Sequence, residues 1–346
     1  MKAVVFREFG GPEVLRLEEV PTPKPGAGEV LIQVHSVSVN RTLDLIVRQG
    51  RYRSDLRFPV ILGIDPAGVV VETGPEVDDL RTGDRVAVIF NVWCRKCRFC
   101  RAGEESNCPN CTYIGLDHWG GYAEYMVAPA TNAFRLPDSL PFPEATVITR
   151  HFPMAFNLLV NKADLQCGEW VLIMGAAGAL GSSGVQVGKL LGAKVIAAAG
   201  SDERVAAALD YGADFGINYR SQDLAEEVGR ITNGHGADVV FENIADPTLW
   251  PGSFSSLAWG GRLVTAGAHG GGQVTVDVRK LYLRRLRIIG VAGTNRRDVR
   301  RALEAAAAGK IRAIINRIMP LREASLAQRL LENQGVIGKI ILDPTP

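Results

Sequence analysis

Four cysteines, Cys94, Cys97, Cys100 and Cys108, follow one another at steps of three, three and eight residues. Thiolates are soft ligands, and four of them complete the tetrahedral coordination of Zn²⁺. A site closed in this way leaves no position for a substrate. The set therefore predicts one structural zinc that folds a lobe over about residues 91–112. Two disulfides or a redox pair are the alternative, and both fit poorly with the reducing cytoplasm expected for this chain. Cys111 and Cys167 are left over, Cys111 as a bystander thiol near the end of the lobe or else an alternative ligand.

A second constellation is Gly175, Gly178 and Gly181, placed directly after the apolar run Trp170–Met174 and at the opening of a helical pattern. Absent side chains let backbone approach a pyrophosphate, and a helix N-terminus supplies N–H donors and positive dipole. The segment Gly175, Ala176, Ala177, Gly178, Ala179, Leu180 and Gly181 is accordingly expected to hold a dinucleotide. An NAD site wants a carboxylate at the end of the next strand, for the ribose 2′-hydroxyl. Here that place is Ala199 or Gly200. Small residues leave room for a 2′-phosphate, Ser201 can donate to it, Arg204 brings charge, and Tyr219 with Arg220 can close the pocket. NADP(H) is the expected coenzyme; a shift of two residues onto Asp202 would restore an NAD carboxylate.

These groups need a frame of 346 residues, which is too long for one ordinary core and implies two domains. Hydrophobic residues make up 47% and charged ones 22%, the balance of a soluble globular chain. A net charge of +2 gives no drive toward nucleic acid or membrane, so neither is expected as a partner. No apolar run is long enough to span a bilayer, and Met1–Phe6 does not read as a signal peptide. Up to about residue 130, short strands such as Val30–Val37 and Ala67–Glu72 alternate with Gly and Pro turns, which reads as a compact β domain. From about residue 143 helices and strands alternate, which predicts a doubly wound parallel sheet. The tail from Ile311 returns to short strands and one helix.

Taken together, these features resemble the medium-chain dehydrogenase/reductase superfamily of zinc-type alcohol dehydrogenases and quinone oxidoreductases. The opening strand, Leu62–Val70, Gly83–Val86, the cysteine lobe, Gly120–Tyr125, the glycine loop and Gly338-Lys339 carry the likeness. It implies an α/β chain with a GroES-like β domain over residues 1–150 and 292–346, interrupted by a Rossmann domain over 151–291. It also implies homodimers joined through strands such as Arg287–Val291, with a tetramer as the alternative.

The alcohol dehydrogenases of that superfamily carry a second, catalytic zinc. At the corresponding motifs this chain has Asn40, Ile64 and Arg150, none of which is the family's ligand type. The chain therefore most resembles the quinone oxidoreductase-like members without catalytic zinc, although it keeps the cysteine lobe. A quinone or enone spreads the charge that hydride delivers over a conjugated system, so it depends less on a Lewis acid. The expected activity is NADPH-dependent reduction of a quinone or activated alkene. Alcohol or aldehyde dehydrogenase chemistry, or NADPH binding with little turnover, are the alternatives. Asn40 is a candidate to hold the substrate oxygen, or else a helix cap. Thr42 matches the family's proton-relaying hydroxyl, and Tyr52 is a second proton donor. Arg150 and His151 are expected at the domain junction, where they could stabilise an enolate.

Overall fold

The computed structural model describes residues 1–333 and 335–345. They form two compact units, one of residues 1–150 with the tail from Leu303, the other His151–Ala302. The second division falls later than the expected residue 291, and buried side chains explain why. Asn157 donates to the Gly293 carbonyl at 3.1 Å, Asn161 donates to the Asp298 carboxylate, and Asn295 donates to both Asn157 and Asp298. These bonds hold residues 293–298 on the second unit.

In the first unit, Glu29–Ser38 is the central strand, because its apolar residues are buried while neighbours pair along both edges. Ala67–Thr73 and Tyr125–Pro129 pair with it antiparallel, and so does the late strand Lys339–Asp343, through Ile341 opposite Ser38. Arg85–Val88, Ala133–Arg135 and Ile315–Pro320 complete seven strands. A smaller sheet joins Lys2–Phe6 to Arg16–Glu19 and Val60–Ile61. The tail therefore supplies core strands to the β unit, and Lys339–Leu342 are buried throughout.

The second unit is a six-stranded parallel sheet. Its spatial order is Phe215–Asn218, Lys194–Ala199, Trp170–Met174, Ala237–Glu242, Leu257–Thr265, Arg287–Gly290. Numbered along the chain this is 3-2-1-4-5-6, the order of the dinucleotide-binding Rossmann fold. Val171–Met174 and Val195–Ala199 are buried, as strands covered on both faces must be. The edge strand Arg287–Gly290 is mostly exposed, with Ile288 at the surface. No helix among the described residues is long and apolar enough to cross a membrane.

Candidate active site, coenzyme loop and metal lobe

At its C-terminal end the strand Glu29–Ser38 leads into a buried polar cluster. Ser38 donates from its backbone N–H to Asp65 Oδ1 at 3.0 Å and from its hydroxyl to Asp65 Oδ2 at 2.5 Å. Asn40 Nδ2 donates to the same Asp65 Oδ2 at 3.1 Å. Its Oδ1 accepts from the Lys339 ammonium at 2.7 Å, and Lys339 also donates to the Val39 carbonyl at 3.0 Å. Asp44 sits one wide, π-type turn further on, within Arg41–Leu45. Its Oδ2 accepts from the Asn40 N–H at 2.8 Å and from the Tyr122 hydroxyl at 2.9 Å. Asp44 Oδ1 is buried with no hydrogen-bond partner.

Backbone geometry brings these groups together. Gly63 holds φ at +96°, and a Cβ there would lie 2.6 Å from Tyr122 Cδ1 and 2.8 Å from its N. Only glycine allows that approach. Tyr122 is thereby packed beside the Leu62–Asp65 turn, with its hydroxyl on Asp44. Asn40, Asp44, Asp65, Tyr122 and Lys339 are all buried. Burial disfavours charge, so it raises Asp44 to about 7; the nearby Asp65 adds to this, and the Asn40 and Tyr122 bonds oppose it. Burial likewise lowers Lys339 to about 8, against the attraction of Asp65 and Asp44. Tyr122 is pushed well above its ordinary value, by burial first and then by Asp44.

Asn40 does precede a helical turn, but its side chain caps nothing. Both ends of its amide are engaged, by Asp65 and Lys339, so the group expected to hold a substrate oxygen is a member of the internal network. Thr42 is half-buried within Arg41–Leu45. Tyr52 is an exposed loop residue at 46% accessibility. Arg150 is half-buried, its guanidinium lies 5.3 Å from the centre of the Phe90 ring, and its Nε has no hydrogen-bond partner. Burial lowers the Arg150 pKa, while Asp65 and Asp44 draw it up. His151, next along the same helix Phe142–Phe156, is the first residue of the second unit. Ile64, at the position where a histidine ligand would stand, is fully buried core.

Sequence reasoning assigned Asp44 and Asp65 no part in handling the substrate. It quoted Lys339 only for its fit to a family pattern, and it passed over Ser38 as part of a strand. Lys339 carried a legible signal nonetheless. A lysine opening Lys-Ile-Ile-Leu, a run otherwise apolar, must either reach solvent along its stem or find a buried partner.

In the second unit the glycine loop has the expected construction. Gly175 follows the strand Trp170–Met174 with φ at +62°. Gly178 caps the helix Ala179–Leu190. A Cβ on Gly181 would fall 2.1 Å from the Gly175 carbonyl oxygen, so strand and helix approach too closely for any side chain. The turn and the helix start fit a pyrophosphate. Beyond the strand Lys194–Ala199, Ser201 caps the helix Asp202–Asp210 by accepting from the Arg204 N–H at 3.4 Å. Asp202 Oδ1 accepts from Asn218 Nδ2 at 2.7 Å. A Cβ on Gly200 would meet the Tyr219 hydroxyl at 3.0 Å, so this ring lies over the glycine. Arg220 and Arg204 are close enough to Tyr219 to favour its phenolate, although burial outweighs them and raises its pKa.

The Sγ atoms of Cys94, Cys97, Cys100 and Cys108 lie within 4.8 Å of one another. Four thiolates on a tetrahedral Zn²⁺ at about 2.3 Å stand roughly 3.8 Å apart, so the cluster fits a structural zinc. Cys94 is lowered to about 6 because the Lys96 and Cys97 backbone N–H groups point at it. Cys111 stays outside the cluster. Its thiol donates to the Thr112 carbonyl, and burial raises it to about 11.

Comparison with known proteins agrees with this frame. The model of the alcohol dehydrogenase GroES-like domain matches residues 26–138, and that of the zinc-binding dehydrogenase domain matches residues 179–308. An NAD-dependent alcohol dehydrogenase of Sulfolobus acidocaldarius is 33% identical over the full length of both chains. An acryloyl-coenzyme A reductase of Sulfurisphaera tokodaii is 28% identical over 99% of this chain and 100% of its own. Among solved structures, an NAD-dependent alcohol dehydrogenase superposes with a TM-score of 0.93 at 35% identity, with both chains fully covered. A mycobacterial quinone oxidoreductase does so with 0.83 at 26%, covering 99% of this chain and 100% of that one. The chain belongs to the zinc-type alcohol dehydrogenase family of the medium-chain dehydrogenase/reductase superfamily. It is an oxidoreductase of that superfamily.

Proposed function

We propose that the protein is an NADPH-dependent reductase of quinones or activated alkenes, with one structural zinc and no catalytic metal. The observation that carries this reading is the buried bond from Lys339 to Asn40, in a cluster where no cysteine or histidine is present. An acceptor that must be polarised by a metal finds no ligand set there. A conjugated acceptor delocalises the incoming charge and needs less help. The coenzyme, when bound, supplies the hydride. The chain's own part is to hold it on the Gly175–Gly181 loop and to balance the charge that develops on the acceptor oxygen. Arg150, with its unpartnered Nε, is the candidate for that charge, and Thr42, Tyr52 and His151 are the candidates for delivering a proton.

NADPH is preferred in this reading because the 2′-end of the coenzyme loop carries Ala199, Gly200 and Arg204. The nearest carboxylate, Asp202, is taken by Asn218. Several relatives are named NAD-dependent, which argues the other way, so the preference is decided by measurement. The acryloyl-coenzyme A reductase relative supports a conjugated acceptor, because its named substrate is an activated alkene. Alcohol or aldehyde dehydrogenase activity is the second reading, favoured by the names of the alcohol dehydrogenase relatives. We further place the protein in the cytoplasm as a homodimer, the exposed edge strand Arg287–Gly290 being the surface a second copy would extend.

The test is NADPH oxidation against one panel of quinones, enones, and simple aldehydes and ketones. Turnover confined to conjugated acceptors supports the reading. Turnover on simple carbonyls replaces it with the dehydrogenase reading, and no turnover on any of them points to a binding protein.

A further inference from the structure

The strand Ala237–Glu242 of the parallel sheet ends in a fully buried acid, Glu242. Its Oε1 accepts from the Ile244 N–H at 3.0 Å and from the Ala245 N–H at 3.1 Å, and its Oε2 accepts from the same Ala245 N–H at 2.9 Å. Burial raises the carboxyl pKa, and these N–H groups oppose the rise. The hold bends the chain sharply. Ala245 sits at φ +51°, left-handed backbone that an L side chain rarely adopts.

The turn fixed in this way is tied to the loops on either side of it. Asn243 Nδ2 donates to the Met174 carbonyl at 2.8 Å, at the end of the strand that leads into the glycine loop. A Cβ on Gly175 would lie 3.2 Å from Asn243 Oδ1. On the other side, the Gly270 N–H donates to the Ile244 carbonyl at 2.7 Å and the Gly272 N–H to the Ala245 carbonyl at 3.2 Å. Trp170–Met174 and Ala237–Glu242 are the adjacent strands between which the order of the sheet reverses. Ligands of such sheets lie outside the carboxyl ends of the strands at that point. Ala199, Gly200 and Arg204, which the coenzyme reading gives to the adenosine end, follow the strand on the far side of Trp170–Met174.

We propose that Glu242 is a positioning residue for the nicotinamide half of the coenzyme. It acts through the turn at 243–246, which it holds against the glycine loop by way of Asn243. A turn formed in only a fraction of the molecules would lower the apparent affinity by that fraction. The inference rests on the coenzyme reading above and deepens it, and its test reads binding, so the substrate panel does not bear on it.

Dissociation constants are measured by calorimetry for wild type, Glu242→Gln and Glu242→Leu. The ligands are NADPH, NADH and the fragments 2′,5′-ADP and ADP, which lack the nicotinamide half. Glu242→Leu keeps the bulk and removes both acceptors, and is expected to bind the preferred dinucleotide about thirtyfold more weakly. Glu242→Gln keeps one oxygen and should lose about threefold. The matching fragment should stay within about twofold of wild type in both variants. Unchanged dinucleotide binding by a folded Glu242→Leu, or an equal loss for the fragment, overturns the proposal alone. A wild type that binds neither dinucleotide overturns the coenzyme reading together with it. If Glu242→Leu does not fold, Asn243→Ala is read by the same constants, because it cuts the tie to Met174 and leaves the carboxylate in place. The dinucleotide should then weaken about tenfold while the fragment holds, and any other result overturns the proposal.

Discussion

Asn40 and Lys339, 299 positions apart in the chain, are joined by a 2.7 Å hydrogen bond from Nζ to Oδ1. Asn40 follows the long central strand by two residues and Lys339 opens the last one. The antiparallel pairing of Ser38 with Ile341 brings the two ends level. The acids around this bond give the protein a pH signature.

Asp44 has a folded pKa of about 7, raised from its ordinary 3.8. A raised carboxyl pKa means that the folded state binds the extra proton between these values. Its favourable contribution is complete below about pH 4 and fades as pH rises through about 7. Lys339 runs the other way. Its folded pKa is about 8 against 10.5, so stability recovers as pH rises from about 8 toward 10.5. Asp44→Asn is expected to remove the decline between pH 4 and 7 and to stabilise the protein at pH 8 by up to about 4 kcal/mol. Chemical denaturation across pH 4–10 reads both limbs. An unchanged slope in the variant would clear Asp44 of this role.

The coenzyme preference is checked by two dissociation constants. NADPH should bind more tightly than NADH, and Arg204→Ala should weaken NADPH by about tenfold, the worth of one charge-assisted contact, while leaving NADH nearly unchanged. Tighter NADH binding by the wild type would reverse the assignment.

Gly181→Ala tests the loop itself. The added Cβ has backbone 2.1 Å away and must push strand and helix apart. Binding of either coenzyme should fall by at least about a hundredfold, with a loss of stability of about 2 kcal/mol. Fluorescence titration and thermal melting measure the two effects independently.

The cysteine lobe should retain one zinc per chain after exhaustive dialysis. Cys108→Ser breaks the tetrahedral set, and the variant is expected to lose that zinc and to melt about 5 °C lower or more. Metal analysis of purified protein is the direct check, and zinc retained in full by the variant would contradict the assignment.

Arg150→Ala should lower kcat about tenfold or more on a conjugated acceptor while leaving the KM for coenzyme unchanged. The reason is that the guanidinium is within electrostatic reach of Asp65 and Asp44 in the first unit. Full turnover by the Arg150→Ala/His151→Ala double variant would remove both residues from the chemistry.

Much of this was legible in the residues, for identifiable reasons. Cysteine spacing and the glycine loop are local patterns, since each group lies within about a dozen positions of the next, so their geometry survives reading in one dimension. Strand and helix alternation likewise forecast the parallel sheet, because its strands are buried on both faces and read as apolar runs. The polar cluster was hidden because it is assembled from four distant segments, residues 38–44, Asp65, Tyr122 and Lys339. Asn40 looked like a helix cap or a substrate donor, and the cation that engages it lies at the other end of the chain. Nor does any local pattern say that Gly63 would press Tyr122 onto Asp44. The later unit boundary was missed for a similar reason, since the side chains that hold residues 293–298 come from Asn157 and Asn161.

Because ribosomes deliver the chain from its N-terminus, Asn40, Asp44 and Asp65 are synthesised long before Lys339. A nascent chain halted short of the final strand already holds Arg150, which Asp65 and Asp44 attract, but not the ammonium that bonds Asn40. The Asn40 amide oxygen thus receives its buried partner only when the last strand has taken its place in the sheet.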